Sequence, residues 1–258
     1  MRLTIIVLTI SLLGLTGPSA AQRAVVSNSG GPVEINADNG IEWQRDTKAY
    51  IARGNARAAQ SGIEVLADTL MAFYRDGNKD DDQEIFRIDA DGNVRVRTKS
   101  EKAFGDKGVY HVDQAVFVLV GTNLRLETNS AIITARETLE YWDKRNLAVA
   151  RGEAIVVGSD GRLRADILTA HIAKTGKRNI DRIDAFGNVL VSTGSEIARS
   201  NEGVYNPQTE IATLCGNVKI TRGKNQLNGA CAEVNLKTVR SRVLGRGQRV
   251  KGIFEPKQ

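Results

Sequence analysis

Two aspartates one residue apart, followed by Gly-Asn, make up the stretch Asp89-Ala90-Asp91-Gly92-Asn93. That spacing resembles the opening of a calcium-binding loop. A loop of the EF-hand kind beginning at Asp89 requires glycine at its sixth position and a bidentate glutamate at its twelfth. Val94 and Ser100 stand there instead. A second copy of the stretch, Ile183-Asp184-Ala185-Phe186-Gly187-Asn188, keeps the Gly-Asn but replaces the second aspartate with Phe186. What the copies share is a pair of residues that tolerate positive φ, and we read it as a tight hairpin turn that opens a strand. No metal site is expected here. The acidic run Asp80-Asp81-Asp82 reads as a solvated loop tip.

The remaining chemistry-bearing residues are sparse. His111 and His171 are the two histidines, and no Ser-His-Asp order, nucleophile elbow, His-Glu-x-x-His or P-loop accompanies them. His171 aligns with Phe73 in the other copy, which suits a packing role. Cys215 and Cys231 are the whole thiol inventory. Their spacing is poor for zinc without histidine partners and wrong for a redox Cys-x-x-Cys. In an oxidising compartment they form a disulfide; two buried free thiols are the other reading. Catalysis therefore has little to draw on, and neither an enzyme nor a cofactor is expected. A polysaccharide lyase on a β-solenoid is the enzymatic alternative, and it would hinge on a single carboxylate.

The elements that position these residues are strands. "NVRVRT" (93–98), "VFVLVGTNLRLET" (116–128), "GEAIVV" (152–157), "GNVLVST" (187–193) and "GNVKIT" (216–221) alternate apolar and polar residues with period two, the pattern of strands with one buried face. The chain also repeats. Residues 53–74 align with 151–172 at an offset of 98, and 85–98 align with 180–193 at an offset of 95. The difference falls in the acidic loop, where an insertion is cheap. In this register the one helix-like segment, "ARETLEYW" (135–142), lies opposite a strand and is itself read as strand. Gly54, Gly92, Gly121, Gly152, Gly187 and Gly216 punctuate modules of two or three short strands. Stacked modules of this kind build an elongated β-structure of roughly fifteen to eighteen strands. Two repeat units follow, residues 32–135 and 136–256.

The first residues stand apart. Arg2, an apolar run from Leu3 to Leu15 and the small residues Ser19-Ala20-Ala21 have the order of a signal peptide cleaved after Ala21. A retained N-terminal anchor is the alternative. The chain carries 36 basic and 30 acidic residues, a net charge of +6. An exported protein of that balance suits an anionic membrane component better than nucleic acid, and aromatics at 5% argue against base-stacking platforms.

Inward candidates on the alternating strands are Val33, Ile35, Ile63, Val65, Phe73, Val94, Val96, Phe104, Phe117, Leu119, Leu124 and Leu126, with Tyr110 among them. They either pack only on one another or line a slot for an apolar ligand.

Against this background, "GPVEINADNGIEWQRDTKAYIARGNARAAQSGIEVLADTL" resembles the start of the LptA/OstA-like family of periplasmic lipopolysaccharide-transport proteins. The shared features are a Pro-Val-x-Ile-x-Ala-Asp opening, a Gly-Asn strand and an Ile-x-Val-x-Ala-Asp segment. "KGVYHVDQAVFVLVGTNLRL" and the closing "GRGQRVKGIFEP" resemble later family segments, so the likeness spans about residues 32 to 256. The chain departs from the family in its extra modules and in having Cys215 and Cys231.

The resemblance implies an all-β fold, an elongated twisted β-jellyroll of two antiparallel sheets with an apolar cleft. It implies a periplasmic carrier that shields lipid A acyl chains in that cleft and bridges the inner and outer membranes. The alternative is a scaffold of the same fold that holds partners without carrying lipid. An acyl chain of about a dozen carbons left in water costs roughly 10 kcal/mol, which a continuous groove removes without chemistry. Lipid-lining positions carried over are Val33, Ile35, Tyr110 and Val112, with Ile63, Val65, Val94, Val96, Phe117 and Leu119 beside them. Arg95, Arg97, Lys99, Lys102 and Lys107 are the candidates to meet lipid A phosphates. The implied partners are lipopolysaccharide, Lpt components of similar fold in both membranes, and further copies joined head to tail.

Overall fold

The computed structural model describes residues 33–60, 62–77, 83–159, 161–173, 180–235, 238, 240–247 and 249–255. The signal segment and Asp80-Asp81-Asp82 lie outside the described residues. The protein is an elongated β-jellyroll in which, among the described residues, eighteen strands pair antiparallel in one continuous sheet. In chain order these are β1 (Glu34–Asn36), β2 (Ile41–Gln44), β3 (Ala49–Gln60), β4 (Ile63–Asp76), β5 (Gln83–Arg97) and β6 (Lys102–His111). Next come β7 (Val116–Val120), β8 (Leu124–Glu127), β9 (Ala131–Ala135), β10 (Thr138–Trp142) and, after a 3-10 turn at Asp143–Arg145, β11 (Leu147–Gly158) and β12 (Gly161–Ile172). The series closes with β13 (Ile180–Ser192), β14 (Ile197–Asn206), β15 (Ile211–Arg222), β16 (Asn225–Asn235), β17 (Arg240–Leu244) and β18 (Lys251–Ile253). The segment 135–142 holds the end of β9, a bend at Arg136 and Glu137, and β10, so it is strand on both sides of that bend.

The long strands are bent, and the bend makes the architecture. Pairing of β3 with β4 shifts register between Arg53 and Ala56, and pairing of β5 with β6 shifts between Asp91 and Val94. The same shift recurs at Arg151/Ala154, Phe186/Val189 and Cys215/Val218. Each long strand therefore runs through two leaves. Leaf one holds β1, β8, β9 and β18 with one half of every long strand; leaf two holds β2, β7, β10 and β17 with the other half. The leaves meet along a vertex and fold onto each other, so that a Cβ added to Gly108 in leaf two would lie 3.4 Å from the Val94 side chain in leaf one.

This corrects the reading of Gly-Asn as a hairpin turn between short strands. Gly92 and Asn93 have φ of +79° and +49°, yet β5 continues through them. The pair forms a mid-strand bulge that swings the chain from one leaf to the other, a use for which two left-handed residues are equally suited. The hairpins lie elsewhere, at the outer rims of both leaves.

The core lies along the vertex. Ala56, Ala154, Ala165, Val94 and Leu119 are at most 1% exposed, and residues from both leaves and both repeats join one apolar cluster. Small residues dominate this innermost row because the leaves converge there, leaving little space between backbones. The sheet crosses from the first repeat to the second without a break, through β7–β10 and β9–β11.

Candidate functional site

Alternation along each strand sends every second side chain between the leaves, and ladder registers line these side chains up in rows. Beyond the buried vertex row, leaf one presents a second row. Ile35 pairs across Ala58 to Val65, then Val96, Ala103, Leu126 and Ile133 follow. It continues through Val156, Leu163 and Val191 of the second repeat. These residues are half-buried and pack against the core from its open side. Leaf two answers with Tyr50, Ala72, Ile88, Tyr110, Phe117, Tyr141 and, further along, Ile183 and Tyr205. One wall is therefore aliphatic, and the other is aromatic with hydroxyl groups.

The cleft so formed is V-shaped in its burial: closed at the vertex, half-exposed towards the rims. Burial pushes the Tyr110 hydroxyl up to about 12, with the nearby Asp143 carboxylate adding to it. Asp143 also accepts a hydrogen bond from the Tyr141 hydroxyl at 3.2 Å. At the N-terminal end Trp43, Tyr50 and Tyr74 cluster, with the Trp43 indole donating to the Tyr74 hydroxyl at 2.8 Å and stacking on Tyr50 at 5.8 Å.

The predicted lining residues divide by depth. Ile35, Val65, Val96, Tyr110 and Phe117 sit in the half-buried rows. Val33 and Ile63 lie nearer the rim of leaf one, and Val112 follows β6 at the rim of leaf two, its N–H donating to the Phe86 carbonyl at 2.9 Å. Val94 and Leu119 are in the packed vertex row, where they touch other core side chains. Phe73 and Phe104, expected inside, point outward: their rings lie under the Arg87 and Arg125 guanidinium groups at 5.6 Å and 4.5 Å. An arginine lid lets an aromatic face water at little cost, so hydrophobicity alone does not fix its side.

The basic candidates do not gather at the cleft. Arg95, Arg97 and Lys102 alternate with the inward Val94, Val96 and Ala103 and so stand on the outer face of leaf one, where Arg97 lies 3.6 Å from Glu64. Lys107 stands on the outer face of leaf two, 3.4 Å from Asp91. Lys99 is exposed in the rim turn between β5 and β6. Ile133 and, in the second repeat, Val156, Leu163 and Val191 lie outside the expected set, although the alternation in 152–157 and 187–193 contains the signal for Val156 and Val191.

Two outer-face arrangements complete the picture. Cys215 and Cys231 are direct cross-strand partners joined as a disulfide, Cα to Cα 4.1 Å. Asp184, 4% exposed, accepts from Arg182 Nε and Nη2 at 2.7 and 2.6 Å and lies 2.8 Å from His171 Nε2. Burial pushes the Asp184 carboxyl up, but the bonds from Arg182 and His171 outweigh it and hold it below the usual range. His171 is thus part of a polar network and not a packing residue. The same Arg-x-Asp pairing joins Arg87 to Asp89 in the first repeat, at 2.6 Å.

A bent, two-leaved jellyroll with a long apolar lining and no break between its repeats defines the class of protein. Residues 34–141 and again 133–240 match the family described as LptA/(LptD N-terminal domain) LPS transport protein. The chain belongs to that family, and it is a lipopolysaccharide-transport-related protein. An uncharacterized protein of Rhizobium meliloti (strain 1021) is 26% identical over 140 residues, which cover 52% of this chain and 75% of that one. Among solved structures, LptH, the LptA-homologous periplasmic component of the conserved lipopolysaccharide transport device of Pseudomonas aeruginosa, shares 15% identity and a TM-score of 0.41, covering 56% of this chain and 97% of that chain.

Proposed function

We propose that the protein is a periplasmic carrier that holds lipid A acyl chains between its two leaves and forms part of a bridge between inner and outer membranes. The observation that carries this reading is the pair of half-buried apolar rows facing each other along both repeats. Their residues are neither sealed into the core nor released to water, the condition in which an inserted acyl chain gains about 0.8 kcal/mol per buried CH₂. Tyr110, Tyr141 and Tyr205 put amphipathic rings on one wall, suited to the boundary between acyl chain and sugar. Lys99, on the rim, is the basic candidate best placed for a lipid phosphate. The terminal strands support end-to-end assembly with further copies and with Lpt components of similar fold: among the described residues β1 and β2 pair only with β3, and β17 and β18 only with β16. Their outer edges are open to strand addition.

Photo-crosslinking residues installed in cells at Ile35, Val96, Tyr110 and Phe117 test the reading. Lipopolysaccharide adducts at these positions, and none at the outward Arg95 or Val118, are expected. Absence of adducts at all four would overturn the carrier and leave the fold as a scaffold for partners.

A further inference from the structure

The outer face of leaf one differs in charge between the two repeats. Side chains there stand in two ladder rows, two residues apart along each strand. In the first repeat the rows contain Arg57, Arg95, Arg97, Lys102 and Arg125 together with Glu34, Glu64 and Glu127. Most of the cations are spent within the face: Arg57 pairs with Glu64, Arg97 lies 3.6 Å from the same carboxylate, and Arg125 lies 3.0 Å from Glu127.

From β9 onward the same two rows hold no carboxylate. The vertex-side row runs Thr134, Ile155, Arg164, Leu190, Arg199, Lys219, Asn228, Lys251 by successive pairings. The rim-side row adds Arg162 and four aliphatics, Ile132, Val157, Ile197 and Ile253, each between 44% and 47% exposed. Arg162, Arg164, Arg199, Lys219 and Lys251 are all exposed, and among the described residues no carboxylate lies within 4.0 Å of them. Of the acidic groups along the adjoining vertex, Glu153 pairs with Arg136 at 3.0 Å and Asp166 accepts a hydrogen bond from Asn188 at 2.9 Å. The face spans eight strands, about 34 Å at roughly 4.8 Å per strand.

We propose that this face docks on an anionic phospholipid surface. Four cations in one row and Arg162 in the next, with no carboxylate in either row, match a sheet of phosphates in charge, and the exposed isoleucines and valine beside them match the apolar layer just beneath. A membrane asks for no fixed complementary shape, which suits two straight rows better than a pocketed partner would. The surface lies on the far side of leaf one from the lining, so this inference stands apart from the carrier reading.

Flotation of the purified exported protein with phosphatidylcholine vesicles, with and without phosphatidylglycerol, is the test. Binding to the anionic vesicles alone, weakening with salt, is expected. The combined variant Arg164→Gln, Arg199→Gln, Lys219→Gln is expected to bind about a hundredfold more weakly. Val157→Ser with Ile197→Ser is expected to weaken binding while preserving its salt dependence. Arg57→Gln, Arg95→Gln, Arg125→Gln on the first repeat is expected to change it less than threefold, about. Melting curves confirm that each variant is folded. Equal binding to neutral vesicles, or equal losses from both triple variants, would overturn the proposal. So would capture by soluble polyglutamate without vesicle binding, which would assign the face to an acidic protein.

Discussion

Asn93 donates its side-chain amide to the Asp68 carboxylate at 2.9 Å, directly across the vertex from one long strand to the next. Asn188 makes the same bond to Asp166 at 2.9 Å in the second repeat, and Asn55 makes it to Asp38 at 2.7 Å. Where the pattern varies the contact persists, with Thr122 Oγ1 donating to Asp106 at 3.0 Å and Arg136 facing Glu153 at 3.0 Å. The vertex is therefore a polar seam on the outside of an apolar core. At these positions the bulge is held by a polar side chain of its neighbour.

Gly92→Ala tests the seam. A Cβ at Gly92 would lie 2.2 Å from Asp68 Oδ2, and the position has φ +79°. Strain in the left-handed region and loss of the Asn93 bond together are expected to cost about 2–3 kcal/mol in urea denaturation. Asp68→Ala in the same chain is expected to recover the steric part, and a strictly additive double mutant would show that the clash does not exist.

Depth in the cleft separates stability from binding. Leu119→Ala, in the sealed row, is expected to cost about 3 kcal/mol or more of unfolding free energy. Val96→Ser, in the half-buried row, is expected to cost about 1 kcal/mol and to lower lipopolysaccharide crosslinking at Tyr110. The reverse order of stabilities would place the packed core at the rim.

The disulfide closes a separation of 16 residues. In the chain-entropy account its removal, by the paired change Cys215→Ser and Cys231→Ser, costs about 3 kcal/mol. The measurement is the melting temperature with and without reductant, and reductant is expected to shift the native protein but not the variant.

Asp184 gives a pH signature. Its folded carboxyl is held below the ordinary value near 3.8, so it contributes stability above that pH. The contribution is withdrawn as pH falls through the lowered folded value. Asp184→Asn is expected to lose about 2 kcal/mol at neutral pH. The gap to the native protein should close below about pH 3.8. A constant difference between the two acid unfolding curves would show that ionisation of Asp184 is not what supports the site.

Much of this was legible in the residues. Period-two alternation locates strands because one face of each is dry, and the repeat register carries 135–142 into the sheet. The role of Gly-Asn was not legible, because a hairpin turn and a mid-strand bulge both ask for two left-handed residues. Only the long-range register at Asp91/Val94 tells them apart. The strand opposite the bulge changes its phase of alternation at the vertex, where Gly105 and Gly108 of β6 both face Leu119, so parity counted along β6 fails there. Phe104 was placed on the wrong side for this reason, and Arg125, which covers it, belongs to a strand 21 positions away. The depth of Val94 against Val96 was equally hidden, since both are apolar and alternate in the same phase. Their difference comes from the angle between leaves.

The unbroken passage from β9 and β10 into β11 has a consequence for length. Tandem duplication usually yields two bodies, each with its own pair of unsatisfied margins and a joint that flexes. Here, among the described residues, the second copy extends the span by adding rungs, and open margins remain at the two ends alone. Reach has grown and the liability to stray pairing has not.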